Sequence, residues 1–178
     1  MRTFSLNLPT FLTFIRIGLI PLFIYVTPNS PVLGVFVFLL ASLTDFLDGY
    51  LARRSNQVTR FGILIDPIAD KFLIISALIL LVDMVRLSAW VAIVIIGREF
   101  LVTVIRVVAL SKGIVIPAEG GGKIKTATQM VAIVFLLLPG SVVDIDLYDV
   151  GVVLIYISLS FAVLSGYRYT KVFWRQVA

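Results

Sequence analysis

Two neighbouring stretches decide the reading of this chain: VLGVFVFLLASLTDFLDGYLAR, residues 32–53, and RFGILIDPIADKFLIISALILLV, residues 60–82. Each is an apolar run long enough to cross a bilayer, which takes about 20 helical residues. Each also carries two aspartates, Asp45 and Asp48 near the end of the first, Asp66 and Asp70 near the start of the second. At i,i+3 and i,i+4 spacing, the members of each pair share one face of their helix. The first run ends at Arg53 and Arg54 and the second begins at Arg60. The two helices are therefore expected to be antiparallel neighbours, with four carboxylates at one depth, one to two turns inside the membrane edge.

An ionised aspartate at the centre of a membrane helix costs about 2.5 to 3.5 kcal/mol, and less near the interface. Pairing with Arg53, Arg54 or Arg60 would account for one such residue, but four at matched depth repel one another. The chain has no histidine and no cysteine, so imidazole or thiolate metal sites, disulfides and Ser/His/Asp or Cys/His nucleophiles are all excluded. A divalent cation is the compensation that remains, and hard carboxylate oxygens suit Mg²⁺ or Mn²⁺. Gly49 and Ala52, one turn beyond Asp45 and Asp48, keep that face free of bulk, so a helix or a phosphate can come close. Arg53 offers bidentate phosphate geometry. Pro67 removes a backbone donor within the second run and is expected to kink it at the site.

The rest of the chain fits the same setting. Of its 178 residues 60% are hydrophobic and 14% charged, and the mean hydropathy is +1.10, values of a membrane protein. Six spans are expected: Thr10 to Val26, Val32 to Arg53, Arg60 to Val82, Ala89 to Leu110, Lys123 to Leu138 and Tyr148 to Tyr169. The fifth is the shortest. Turn-forming residues at 27–31, 117–122 and 139–140 fall between them, and residues 1–178 read as one six-helix transmembrane domain.

Lys and Arg gather at alternate ends of the spans. Arg2, then Arg53, Arg54 and Arg60, then Lys112, Lys123 and Lys125, then Arg168, Lys171 and Arg175 lie on one side; Arg86 is the only basic residue of the opposite loops. By the positive-inside rule both termini are cytoplasmic. The start of the chain lacks the pattern of a secretory signal and reads as mature sequence. The net charge of +5 sits at the ends of apolar runs, which points to anionic lipid headgroups as partner and not to nucleic acid.

Written out, the acidic stretch is Asp45-x-x-Asp48-Gly49-x-x-Ala52-Arg53, eight residues, then Gly62-x-x-x-Asp66-x-x-x-Asp70. It resembles the signature of the CDP-alcohol phosphatidyltransferase family with every defining position filled, and the likeness extends over the six-helix pattern. The resemblance implies two divalent cations, Mg²⁺ or Mn²⁺, held by Asp45, Asp48, Asp66 and Asp70, with Asp70 also the general base. It implies Gly49, Arg53, Thr59, Thr10 and Thr13 as contacts of the CDP-lipid, and a multi-pass protein of the cytoplasmic or inner membrane. Its active site would face the cytoplasm and its assembly would be a homodimer. Two metals across a pyrophosphate would stabilise the attacking and leaving oxygens while a carboxylate takes the acceptor's hydroxyl proton.

Three further stretches resemble the branch of that family that uses sn-glycerol 3-phosphate as acceptor of the phosphatidyl group from CDP-diacylglycerol. They are Asn7-Leu8-Pro9-Thr10-x-x-Thr13-x-x-Arg16, Arg98-Glu99-Phe100 with Arg106, and Gly122-Lys123-x-Lys125-Thr126-x-x-Gln129-Met130. Thr10 departs from the asparagine more usual there. A phosphorylated acceptor needs several cations, and Arg106, Lys125 and Arg168 are the expected phosphate contacts. Lys112, Lys123, Lys171 and Arg175 read as positive-inside anchors, and Arg98 as a residue that can pair with Glu99 or a neighbouring helix. Arg16 and Lys71 stay open between site and snorkelling anchor. Trp90, Trp174 and Tyr169 are expected in the interfacial aromatic belt. Inositol phosphate, serine or another alcohol is the alternative acceptor. A cation- or proton-coupled transporter also places acids in a membrane, though nearer its midplane. A noncatalytic helix-packing subunit would explain Gly49 and Ala52 but not the acids.

Overall fold

The computed structural model describes residues 8–55, 60–111, 121–142 and 144–177; within these, side chains at 8–10, 45–55, 60–70, 121–124, 142 and 175–177 are left aside. Six helices are present among the described residues: α1 Leu8–Val26, α2 Pro31–Ser55, α3 Arg60–Asp83, α4 Ala89–Ser111, α5 Gly121–Leu137 and α6 Leu147–Val177. The expected spans match them closely at most ends. The clearest departure is α6, which continues eight residues beyond Tyr169 to Val177. Nothing in Thr170-Lys171-Val172-Phe173-Trp174-Arg175-Gln176-Val177 breaks a helix, so loss of apolar character does not end it. From Leu147 to Trp174 α6 is long and apolar enough to cross a membrane, whereas the apolar stretches Phe11–Val26, Pro31–Thr44 and Lys125–Leu137 are shorter.

The chain forms two compact units, Met1–Leu80 and Leu81–Ala178. In the first, α1 and α2 pack as a helical hairpin. One α1 face, Thr13, Arg16, Ile20 and Phe23, is buried and continues into buried Thr27. The Phe23 ring meets Phe38 of α2 at 5.7 Å between centroids, tilted by 46°, one of the offset arrangements aromatic pairs prefer. The Thr27 hydroxyl donates to the Phe23 carbonyl at 2.6 Å, and Pro31 opens α2, where a missing N–H costs nothing. Phe11, Phe14, Leu22, Tyr25, Phe36 and Leu43 face outward. Large apolar residues outside and an arginine inside are what a lipid surround favours and water does not. Arg16 is fully buried, so of its two readings the snorkelling anchor falls away.

In the second unit α6 packs against both α4 and α5. Gly151 sets the α5–α6 approach, since a Cβ there would lie 2.8 Å from the Leu136 nitrogen; only glycine lets the backbones come so near. A two-stranded hairpin that the sequence reading did not anticipate joins these helices, β1 Ser141–Val142 paired antiparallel with β2 Ile145–Asp146. Strands of two residues carry no readable alternation. The aspartates in and beside the hairpin have structural tasks. Asp144 takes φ 60°, which aspartate tolerates. The Asp146 Oδ1 accepts the Tyr148 N–H at 2.9 Å as the N-cap of α6, and Asp149 lies in its first turn, near the positive end of the helix dipole.

Arg86, in the segment between α3 and α4, also has a structural task. Its Nη1 donates to the carbonyls of Leu136, Leu137 and Leu138 at 2.8, 3.2 and 3.3 Å. These end α5, and the next residue, Pro139, has no N–H to offer.

Candidate active site

Helical backbone runs through all four aspartate positions. Asp45 and Asp48 stand ten and seven residues before Ser55, the end of α2. Asp66 and Asp70 stand six and ten residues after Arg60, the start of α3. At a rise of about 1.5 Å per residue these are about 15 and 10 Å from one helix end and about 9 and 15 Å from the other. Each pair thus shares a helical face at a similar distance from the intervening segment. The side chains of the four aspartates, Gly49, Arg53 and Thr10 lie outside those described, as does Thr59 altogether. α3 is continuous through Pro67, which leaves the Ile63 carbonyl without its usual i+4 donor. Thr13 is 2% exposed on the inner face of α1.

A separate cluster of charged side chains lies within the second unit. Glu99 Oε1 on α4 accepts from Arg98 Nη1 at 3.0 Å and from Lys125 Nζ on α5. Arg98 is fixed from the other side, with Nε donating to the Ala162 carbonyl at 3.0 Å and Nη2 to the Ser165 hydroxyl at 2.7 Å, both on α6. Gly166 makes room for it, since a Cβ there would stand 3.3 Å from Arg98 Cγ. The two fates considered for Arg98, pairing with Glu99 and binding a neighbouring helix, are both realised. The Thr103 hydroxyl returns to the Glu99 carbonyl at 2.7 Å.

Lys125 is 3% exposed, and one turn along α5 Gln129 is equally buried. Ser158 on α6 is fully buried, its hydroxyl 3.5 Å from the Lys125 carbonyl. The Gln129 Nε2 has no hydrogen-bond partner among the described residues, an unusual condition for a buried amide.

Two turns along α4 from Arg98, Arg106 reaches the Tyr169 hydroxyl at 3.0 Å with its guanidinium carbon 5.5 Å from the ring centroid, a cation–π arrangement. Tyr169 is buried with Val102 and Ala109, flanked by Ile105 and Phe173. This corrects its placement in an interfacial belt. Trp90 and Trp174, by contrast, are exposed. Arg168 is exposed on α6 beside Tyr169. The three expected phosphate contacts thus differ, one buried and ion-paired, one laid on an aromatic ring, one open. Sequence reasoning missed Glu99 as the partner of Lys125, although an acid inside an apolar span was a signal in itself.

Comparison with known proteins agrees over nearly the full length. Residues 6–164 match the CDP-alcohol phosphatidyltransferase family. A Bacillus subtilis protein named CDP-diacylglycerol–glycerol-3-phosphate 3-phosphatidyltransferase is 38% identical over 184 residues, covering 94% of this chain and 95% of its own. Proteins of the same name from Rickettsia bellii, 38% identical over 170 residues, and Haemophilus influenzae, 36% over 176, each cover 93% of this chain and 94% and 92% of their own lengths. With paired aspartates on two successive helices and a helix fit to cross a membrane, the chain belongs to the CDP-alcohol phosphatidyltransferase family and is a transferase of phospholipid biosynthesis.

Proposed function

We propose that this enzyme transfers the phosphatidyl group of CDP-diacylglycerol to sn-glycerol 3-phosphate, giving phosphatidylglycerophosphate and CMP. What supports the reading most is the coincidence of two aspartate pairs at helical spacing with relatives of that name along almost the whole chain. In this reading the protein crosses the inner membrane six times with both termini cytoplasmic, presents its active site to the cytoplasm and works as a homodimer. The charge asymmetry supports the orientation, and the binding of Arg86 to the end of α5 accounts for its one exception.

Four carboxylates without histidine or cysteine form a donor set for hard cations, so Asp45, Asp48, Asp66 and Asp70 would hold two Mg²⁺ or Mn²⁺ ions. Such ions, when bound, neutralise charge on the pyrophosphate oxygens and on the leaving CMP. Thr10, Thr13, Gly49, Arg53 and Thr59 bind the CDP-lipid. Lys125, Arg106 and Arg168 bind the acceptor's phosphate, which orients its free hydroxyl. Asp70 receives the hydroxyl proton as that oxygen forms a bond to the phosphatidyl phosphorus and the bond from phosphorus to CMP breaks with its electron pair. A carboxylate is a far weaker base than the alkoxide it would generate, so the proton leaves late in the transfer.

Purified protein incubated with CDP-diacylglycerol and Mg²⁺ is expected to release CMP when glycerol 3-phosphate is added. Release only with inositol phosphate, serine or another alcohol would replace the acceptor. Asp70→Asn is expected to lose CMP release by at least about 100-fold while still binding CDP-diacylglycerol. Undiminished turnover in that variant would remove Asp70 as the base.

A further inference from the structure

Tyr169 is packed at 4% exposure among Val102, Ala109, Ile105 and Phe173, apolar neighbours that a phenylalanine would suit as well. A buried phenol needs a partner for its hydroxyl, and Arg106 supplies one. Its Nη2 donates to that hydroxyl at 3.0 Å, and its guanidinium carbon lies 5.5 Å from the ring centroid. Both contacts restrain a long side chain. An unrestrained arginine near the end of a membrane helix turns its head toward the lipid headgroups, and Arg106 stands five residues before Ser111, the end of α4. Held by Tyr169, it stays against α6 instead.

Arg106 also differs from the arginine two turns earlier. Arg98 is spent on Glu99, Ala162 and Ser165. Arg106 is exposed, and among the described residues it makes no ion pair and no hydrogen bond other than that to Tyr169. A guanidinium keeps its charge throughout the working pH range, and neither a hydroxyl nor a ring face neutralises it. Its Nε and Nη1 are therefore open to an anion, in the planar arrangement that suits two oxygens of one phosphate. Glu99, Thr103 and Arg106 follow one another at i, i+4 and i+7 along α4, which is one stripe of a helix. Arg106 thus lies on the side of α4 from which Glu99 meets α5.

We propose that Tyr169 is a positioning residue for the acceptor: its hydroxyl and ring fix the Arg106 guanidinium so that the open donors meet the phosphate of a phosphorylated alcohol. This rests on the transfer reaction proposed above. Tyr169 does not touch substrate, and what it contributes is the ordering of a flexible cation before the ligand arrives.

The test is steady-state CMP release by the full-length protein in mixed micelles, with glycerol 3-phosphate and CDP-diacylglycerol varied separately. Tyr169→Phe keeps the ring and removes the hydroxyl. It is expected to raise KM for glycerol 3-phosphate about three- to tenfold, with KM for CDP-diacylglycerol unchanged and kcat at saturating acceptor within about twofold. Tyr169 has interactions beyond those with Arg106, so a cycle with Arg106→Met isolates the route: adding Tyr169→Phe to Arg106→Met brings no further rise. A second rise of the same size in that background overturns the proposal. So does an acceptor KM left at its wild-type value in Tyr169→Phe, whatever the melting temperature does. Should Tyr169→Phe not fold, Tyr169→Met fills the space flexibly without hydroxyl or ring, and an unchanged acceptor KM there has the same meaning. Wild-type protein that releases no CMP with glycerol 3-phosphate removes the proposed reaction and this role with it. Wild-type release with unaltered KM in the variants refutes the role of Tyr169 alone.

Discussion

The two ends of α5 each meet a cation, and the cations do opposite things. At the C-terminal end Arg86 arrives from the loop after α3 and spends its Nη1 donors on the carbonyls of Leu136, Leu137 and Leu138. Its partners are backbone groups that the helix end leaves open wherever it occurs, so this contact completes a structure. Near the N-terminal end Lys125 belongs to α5 itself, is buried and leans on Glu99, with an unmet amide one turn away. Arg86 thus completes a helix end, whereas Lys125 stands one turn from a buried donor with no partner among the described residues, where the proposed acceptor phosphate would bind.

Lys125→Met is the largest test of that contrast. Losing a charge-assisted phosphate contact costs about 2 to 3 kcal/mol, so kcat/KM for glycerol 3-phosphate is expected to fall roughly 30- to 150-fold. Glu99 keeps Arg98, so the melting temperature moves little. A variant that loses stability but keeps its kcat/KM would show that Lys125 is a second Arg86.

Arg86→Ala should do the reverse. The exposed carbonyls and the lost cation at the negative end of the helix dipole cost about 1 to 2 kcal/mol, a fall of a few degrees in the midpoint of thermal unfolding. Activity per folded molecule stays at the wild-type level. Arg86→Lys recovers part of the stability, because a single ammonium can reach the same carbonyls but without the rigid guanidinium geometry. Loss of acceptor affinity in Arg86→Ala would erase the distinction between the two ends.

The sequence carried this contrast unevenly. Helix ends were legible to within a residue or two at most positions, because apolar runs flanked by Pro, Gly and basic residues leave little choice in a membrane. The aspartate pairs were legible because charge in such a run is anomalous, and their spacing repeats along single helices. Arg86 was visible only as an exception to a charge rule, since its three carbonyls lie 50 to 52 residues away. The bond from Glu99 to Lys125 spans 26 residues and two helices, and no periodicity within either helix encodes it. Tyr169 misled for a related reason. An aromatic near a span end reads as a belt residue, and only α4, bringing Val102, Arg106 and Ala109 against it, shows that its polar tip is satisfied inside the protein.

Gln129→Met gives the smallest effect and the finest separation. Methionine has nearly the same length and flexibility but no amide, and replacing an unsatisfied buried donor with an apolar group of similar shape is neutral or stabilising by up to about 1 kcal/mol. The melting temperature should therefore hold or rise slightly. If the amide waits for the acceptor, KM for glycerol 3-phosphate rises by about two- to tenfold, the worth of one ordinary hydrogen bond, while KM for CDP-diacylglycerol does not change. Stability and acceptor affinity then move in opposite directions in one variant, which neither a packing defect nor a general loss of folding produces. A rise in stability with unaltered acceptor KM would mean that the unmet amide is only a cost of the fold. The N-terminal end of α5 would then owe its ligand to Lys125 alone.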